Sequence, residues 1–165
     1  MLVWIMAATV FVLDRAAKIF SLANLPGGAH TVLLPGVLEL RLMHNQGLAL
    51  GLLSGYTLLN LILPVVVVIV GWLALRRYRT TRFTRAAVGL VIGGFLGNLF
   101  DRLSMGFVTD MIYFPWMPWY ICNLADIAIC VGVALLAFSL LFRARDWQLK
   151  TEAKADEPHH PDSAR

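Results

Sequence analysis

Four long apolar blocks constrain this chain more than any single motif does: Leu2 to Leu22, Tyr56 to Leu75, Ala86 to Leu103 and Trp119 to Phe142. A helix of about 18–25 residues is what it takes to cross a hydrocarbon core of roughly 30 Å. Of the 165 residues 59% are hydrophobic, and the mean hydropathy is +0.72. Soluble domains sit nearer to about half apolar. The pattern predicts an all-α membrane protein: four transmembrane helices in one embedded domain, residues 1–150. A polar, proline-bearing tail follows at 151–165 and reads as disordered. A cleaved signal peptide fits the first block poorly. No Lys or Arg precedes it, no small-x-small site follows its apolar core, and Asp14, Arg15 and Lys18 lie near its far end.

The net charge of +4 is grouped by topology and is no signature of nucleic-acid binding. "RRYRTTRFTR" separates blocks two and three, and "RARDWQLK" follows block four. By the positive-inside rule both termini and the second connection are cytoplasmic, and the other two connections face outward. The first outward connection contains "VLELRLMHN", where Leu38, Leu40 and Leu42 alternate with Glu39, Arg41 and Met43. That period of two predicts a half-buried strand, ending at the turn-like Asn45-Gln46-Gly47, within a small extracytoplasmic β-structure on the membrane surface. The second, Ser104 to Pro118, carries "YFPWMPWY", whose Trp and Tyr suit the headgroup level.

The chemistry-bearing patterns of several classes are missing. The chain shows no repeat, no phosphate-binding glycine loop, no Ser–His–Asp signature and no zinc-ligand spacing. His159 and His160 lack partner ligands for a metal. Cys122 and Cys130, read on one helix, would lie about 12 Å apart along its axis, too far for a disulfide.

Helical rise places the polar residues by depth. Counted from the cytoplasmic face, Asp14 lies about 20 Å across and Lys18 about 26 Å, close enough for its ammonium to reach the outer headgroups. Asn98 lies at about 20 Å and Asp101 at about 24 Å. Asn123 and Asp126 fall in the outer third of block four, which runs the other way, and Asp110 lies in the connection before it. These residues and Arg102 therefore converge on the outer leaflet. Gly89, Gly93, Gly97 and Asp101 share one i+4 stripe, a smooth seam for another helix that leads up to a carboxylate. Asp101 and Arg102 are open to a structural reading, paired with each other or with neighbours, and Asp14 with Lys18 to that of an intrahelical pair. Asp110 and Asp126 have no basic residue three or four positions away. Two carboxylates sharing a low-dielectric site cannot both ionise readily, which supplies a general acid and a general base together.

With these residues in place, the chain resembles the lipoprotein signal peptidase (signal peptidase II) family from block one to block four. Asp14 and Lys18 fit its D-x-x-x-K. Asn45, Gly47 and Ala49 in "NQGLALG" fit N-x-G-x-A. "GGFLGNLFDR" fits G-N-x-x-D-R, "GFVTD" fits G-x-V-x-D and "NLAD" fits N-x-A-D. The resemblance implies an aspartic endopeptidase of the bacterial inner membrane with its site on the extracytoplasmic side. Its substrates would be diacylglyceryl-modified prolipoproteins, cleaved just before the lipidated cysteine. The catalytic pair would be Asp110 and Asp126, with Asp14, Lys18, Asn45, Gly47, Asn98, Asp101, Arg102 and Asn123 in support. No metal or organic cofactor is implied, membrane lipids are partners, and the cyclic peptide globomycin is the expected inhibitor. Leu50, Met111 and Cys122 stand where the family usually has aromatics. Rival readings are a proton-coupled carrier and a non-catalytic assembly subunit. Against the first, the acids gather at one depth; against the second, Asp110 and Asp126 have no local counter-ion.

Overall fold

The computed structural model describes residues 1–25, 30–46, 57–78 and 80–150, with the backbone alone for 57–61. The predicted tail at 151–165 and the motif residues Gly47, Ala49 and Leu50 lie outside the described residues. Four long helices and one small sheet make up the rest: α1 (Leu2–Asn24), β1 (His30–Leu34), β2 (Leu38–Asn45), α2 (Thr57–Arg77), α3 (Arg82–Met105), β3 (Val108–Tyr113), β4 (Ile121–Cys122) and α4 (Leu124–Phe142). A short 3-10 helix, Ala144–Trp147, follows α4.

Helix α3 is the centre of the bundle, and its glycines are the reason. A Cβ on Gly93 would lie 2.6 Å from the Ala7 carbonyl oxygen of α1, and one on Gly89 2.7 Å from that of Val3. On the other flank a Cβ on Gly94 would lie 2.5 Å from the Ala125 carbonyl oxygen of α4. Both neighbours thus approach backbone to backbone, which larger side chains would forbid. The seam foreseen at Gly89, Gly93 and Gly97 is the α1–α3 contact. Around it Val3, Ala7, Val88 and Ile92 form a buried apolar cluster. Outward, the helices show large apolar side chains, among them Val12 and Phe20 of α1, Val70 and Leu73 of α2, and Leu140 and Leu141 of α4. An apolar surface this wide needs an apolar neighbour. By length and composition α3 and α4 are fit to cross a membrane.

Two helix starts differ from expectation because side chains set them. Thr81 caps α3 in a reciprocal pair with Thr84, so the helix begins at Arg82 and not near Ala86. Asn123 caps α4 in the same way with Asp126, so α4 begins at Leu124 and not at Trp119. The residues before it form turns and the strand β4. Cys122 is therefore in a strand and Cys130 in α4, and both are free thiols.

The sheet is antiparallel throughout, in the order β1-β2-β3-β4. The strand expected in the first outward connection is β2, but its alternation does not run through. Leu40 pairs with Ile112 and Met43 with Asp110, so β2 spends one more residue than β3 over that interval. This bulge puts Leu40, Met43 and Asn45 on one face. Burial accordingly stays intermediate from Leu38 to Leu42 without alternating.

Candidate active site

The sheet, the C-terminal ends of α1 and α3 and the start of α4 meet in one polar cluster. Its members follow from local structure. Asn45 pairs with Val108 in the β2–β3 ladder, which sets it diagonal to Asp110 on the same face. Asn45 Nδ2 donates to Asp110 Oδ2 at 2.9 Å. Asn123, as the cap of α4, accepts from the Asp126 backbone N–H at 2.9 Å through Oδ1. Its Nδ2 then has two hydrogens left, and both are used: one on Asp110 Oδ1 at 2.6 Å, one on Asn98 Oδ1 at 3.1 Å. Asn98 Nδ2 donates in turn to Asp126 Oδ1 at 2.8 Å. Two asparagines thus tie the two aspartates together, each amide oriented by what its other end must satisfy.

Beneath this pair is a second, ionic layer. Lys18 Nζ lies 2.7 Å from Asp14 Oδ2 and 2.8 Å from Asp101 Oδ2, and donates to Asn98 Oδ1 at 3.0 Å. Arg15 pairs with the other oxygen of Asp101. The Thr109 backbone N–H donates to Asp101 Oδ2 at 3.3 Å, fastening β3 to α3. Asp14 Oδ1 accepts the Ala125 N–H at 3.0 Å, one of the free donors in the first turn of α4. Gly97 makes room for that carboxylate: a Cβ there would lie 2.8 Å from Asp14 Oδ2.

The structure corrects the expectation that Lys18 reaches the outer headgroups. Its side chain is 0% exposed, because Asp14 and Asp101 hold it inside the bundle. Asp14–Lys18 is an ion pair along one helix, one of the readings the sequence leaves open, and Asp101 pairs with α1 and not with Arg102. Arg102 Nη1 donates to its own helix at the Asn98 carbonyl, 3.5 Å away, while the charges of Asp126 and Asp110 act on its guanidinium. Sequence reasoning missed two members. Arg15 belongs to none of the motifs, although its depth along α1 matches that of Asp101 along α3. Tyr120 was read as an interfacial anchor, and its hydroxyl donates to Asp126 Oδ2 at 3.5 Å.

The two layers differ in electrostatics. Asp14 and Asp101 have cationic partners, whereas among the described residues Asp110 and Asp126 enter no ion pair. Asp110 is fully buried. Burial first, then the charge of Asp126, push its carboxyl up to about 7, against the pull of the Asn45 and Asn123 donors. Burial also pushes the Cys122 thiol up to about 12, which leaves it inert as a nucleophile near neutrality.

Comparison with known proteins now bears on this site. The family profile of signal peptidase II matches residues 6–142. The chain belongs to that family. It is 35% identical over 155 residues to the lipoprotein signal peptidase of Desulfitobacterium hafniense (strain DSM 10664 / DCB-2), covering 92% of this chain and 100% of the relative. It is 39% identical over 153 residues to that of Pseudomonas paraeruginosa (strain DSM 24068 / PA7), covering 86% of this chain and 88% of the relative. A solved structure described as a bacterial membrane enzyme, at 1.9 Å resolution, superposes with a TM-score of 0.73 at 26% identity over 86% of this chain and 93% of that one. A second, at 2.3 Å, reaches 0.78 at 24% identity over 95% and 92%, a likeness of fold. This member of the signal peptidase II family is a mostly helical membrane protein with a small antiparallel sheet.

Proposed function

We propose that this protein is an aspartic endopeptidase that removes the signal peptide from diacylglyceryl-modified prolipoproteins, cleaving before the lipidated cysteine. Its embedded domain, residues 1–150, spans the bacterial inner membrane four times, with both termini cytoplasmic. The sheet and the polar cluster lie on the extracytoplasmic side. The observation that carries the reading is the division among the four acids: two are neutralised by Lys18 and Arg15, and two are held side by side by neutral asparagines. Four carboxylates face the three cations Arg15, Lys18 and Arg102, so a single proton on the Asp110–Asp126 pair brings the cluster to neutrality.

We assign that proton to Asp110, whose carboxyl is pushed up to about 7 by burial and the charge of Asp126, the two titrating as one coupled pair. Asp126, at the third position of α4, lies at the positive end of the helix dipole and accepts from Asn98, two features that suit it to act as the base of the pair. Asp126 takes a proton from water, whose oxygen attacks the scissile carbonyl, while Asp110 protonates the carbonyl oxygen. Collapse of the tetrahedral intermediate breaks the C–N bond as a hydroxyl of the gem-diol returns its proton to Asp110, and the proton held by Asp126 passes to the leaving amine, which restores the singly protonated pair. Asn45, Asn98 and Asn123 orient the pair; Asp14, Lys18 and Asp101 hold α1, α3 and α4 together beneath it. Gly47 supports the site through its motif. No metal or organic cofactor takes part, membrane lipid surrounds the domain, and globomycin is the inhibitor.

The test is to incubate purified protein with one prolipoprotein in lipidated and non-lipidated forms. Cleavage before the cysteine of the lipidated form alone, blocked by globomycin, is expected. Equal cleavage of both forms would contradict the substrate assignment.

A further inference from the structure

Tyr120 ends the turn segment between β3 and β4, and the mechanism above does not use it. Its ring is half-buried. Two successive turns hold it, with the Met117 N–H on the Phe114 carbonyl at 2.8 Å and its own N–H on the Met117 carbonyl at 3.3 Å. The two oxygens of Asp126 are unequally engaged. Oδ1 accepts a short bond from Asn98, 2.8 Å. Among the described residues Oδ2 has only long contacts, the Asn123 N–H at 3.4 Å and the Tyr120 hydroxyl at 3.5 Å. Oδ2 is therefore the oxygen with capacity left for water, and the phenol stands beside it. Burial first, then the charge of Asp126, raise that phenol above its ordinary range, so it stays a protonated donor throughout the working pH.

We propose that Tyr120 is a positioning residue whose hydroxyl holds Asp126 Oδ2 ionised and aimed at the attacking water, the hydrogen bond shortening once substrate fills the site. Catalytic hydrogen bonds are often long in an empty site and tighten in the complex. The inference rests on the catalytic pair proposed above. The other groups acting around Asp126 are Asp14 and Lys18 from α1, Asn98 and Arg102 from α3, Asp110 from β3, Cys122 from β4 and Asn123 at the cap of α4. Replacing the hydroxyl alone leaves all of these in place.

The experiment measures kcat and KM against pH on lipidated prolipoprotein for the full-length wild type, Tyr120→Phe and Asp126→Asn. Tyr120→Phe should keep KM and melting temperature and lose about three- to tenfold in kcat at neutral pH. The acid limb of its kcat profile should move up by about half to one pH unit, the size of one typical hydrogen bond. Incorporating 3,5-difluorotyrosine at 120, a stronger donor of nearly the same shape, should move the limb the other way and excludes a folding artefact. An unmoved limb in both forms overturns the role of Tyr120, whatever happens to kcat. The pair itself is judged separately: turnover by Asp126→Asn would remove it, whereas an inactive Asp126→Asn with unmoved Tyr120 limbs removes only this inference.

Discussion

Lys18 carries its charge with no exposed side-chain surface, and the cost of that burial is offset only because Asp14, Asp101 and Asn98 surround it. Removing one partner of a buried pair leaves the other charges uncompensated, at about 3–5 kcal/mol. Lys18→Met should therefore lower the melting temperature in detergent sharply; a variant melting with the wild type would show that the layer is not structural. Asp110 makes a pH prediction of opposite character. Its folded carboxyl is raised to about 7, well above the unfolded value of about 3.9. Between those values the folded protein holds a proton that the unfolded chain has released, so this contribution to stability falls as pH rises through that window. The melting temperature of the wild type should drop between pH 5 and 8 more than that of Asp110→Asn, and thermal melts at several pH values check it. Depth and helical spacing made the convergence of Asp14, Asn98, Asp101, Asn123 and Asp126 legible in the sequence. They did not show that Lys18 turns inward, because a flexible four-carbon stem reaches either way and only the positions of Asp14 and Asp101 decide.

At the scale of elements the glycines of α3 are as consequential as its polar end. A Cβ at position 93 meets the Ala7 carbonyl oxygen at 2.6 Å and the Ala7 Cα at 2.9 Å, so α1 must move away. Gly93→Ala should cost about 1–3 kcal/mol by overpacking. Because the site is a turn and more distant, the fraction that remains folded should turn over normally. Melting temperature and active-site-normalised kcat distinguish this from a catalytic effect. The glycine stripe was visible from its spacing of four. The strands were visible only in part. Alternation pointed to β2, but β3 and β4 hide in a segment whose aromatics read as interfacial; β3 pairs with the distant β2, which leaves little local trace, and β4 is only Ile121–Cys122. The start of α4 was misplaced for a related reason. Residues 119–123 are as apolar as a helix end, and only the reciprocal cap of Asn123 with Asp126 marks where the helix begins.

For the molecule as a whole, the apolar belt and the polar cluster at one end make a testable topology. With Cys122 and Cys130 replaced, a cysteine at Ser104 should react with a membrane-impermeant reagent in intact cells and one at Thr80 should not; the reverse labelling would invert the proposed orientation. The far end is tied as well. Asp146 accepts from Ser139 Oγ at 2.9 Å and Arg143 Nε at 2.8 Å, and Lys150 reaches the Leu75 carbonyl at 2.8 Å, so the segment after α4 is fastened to the end of α2. The bundle is thus braced at both ends. The central claim, that Asp110 and Asp126 act as one acid–base unit, is tested most directly by the turnover of Asp110→Asn and Asp126→Asn on lipidated prolipoprotein, in preparations free of host peptidase and shown to bind substrate. The account predicts that each single variant loses cleavage almost completely and that the double variant loses no more than either. Substantial turnover by either single variant would contradict it.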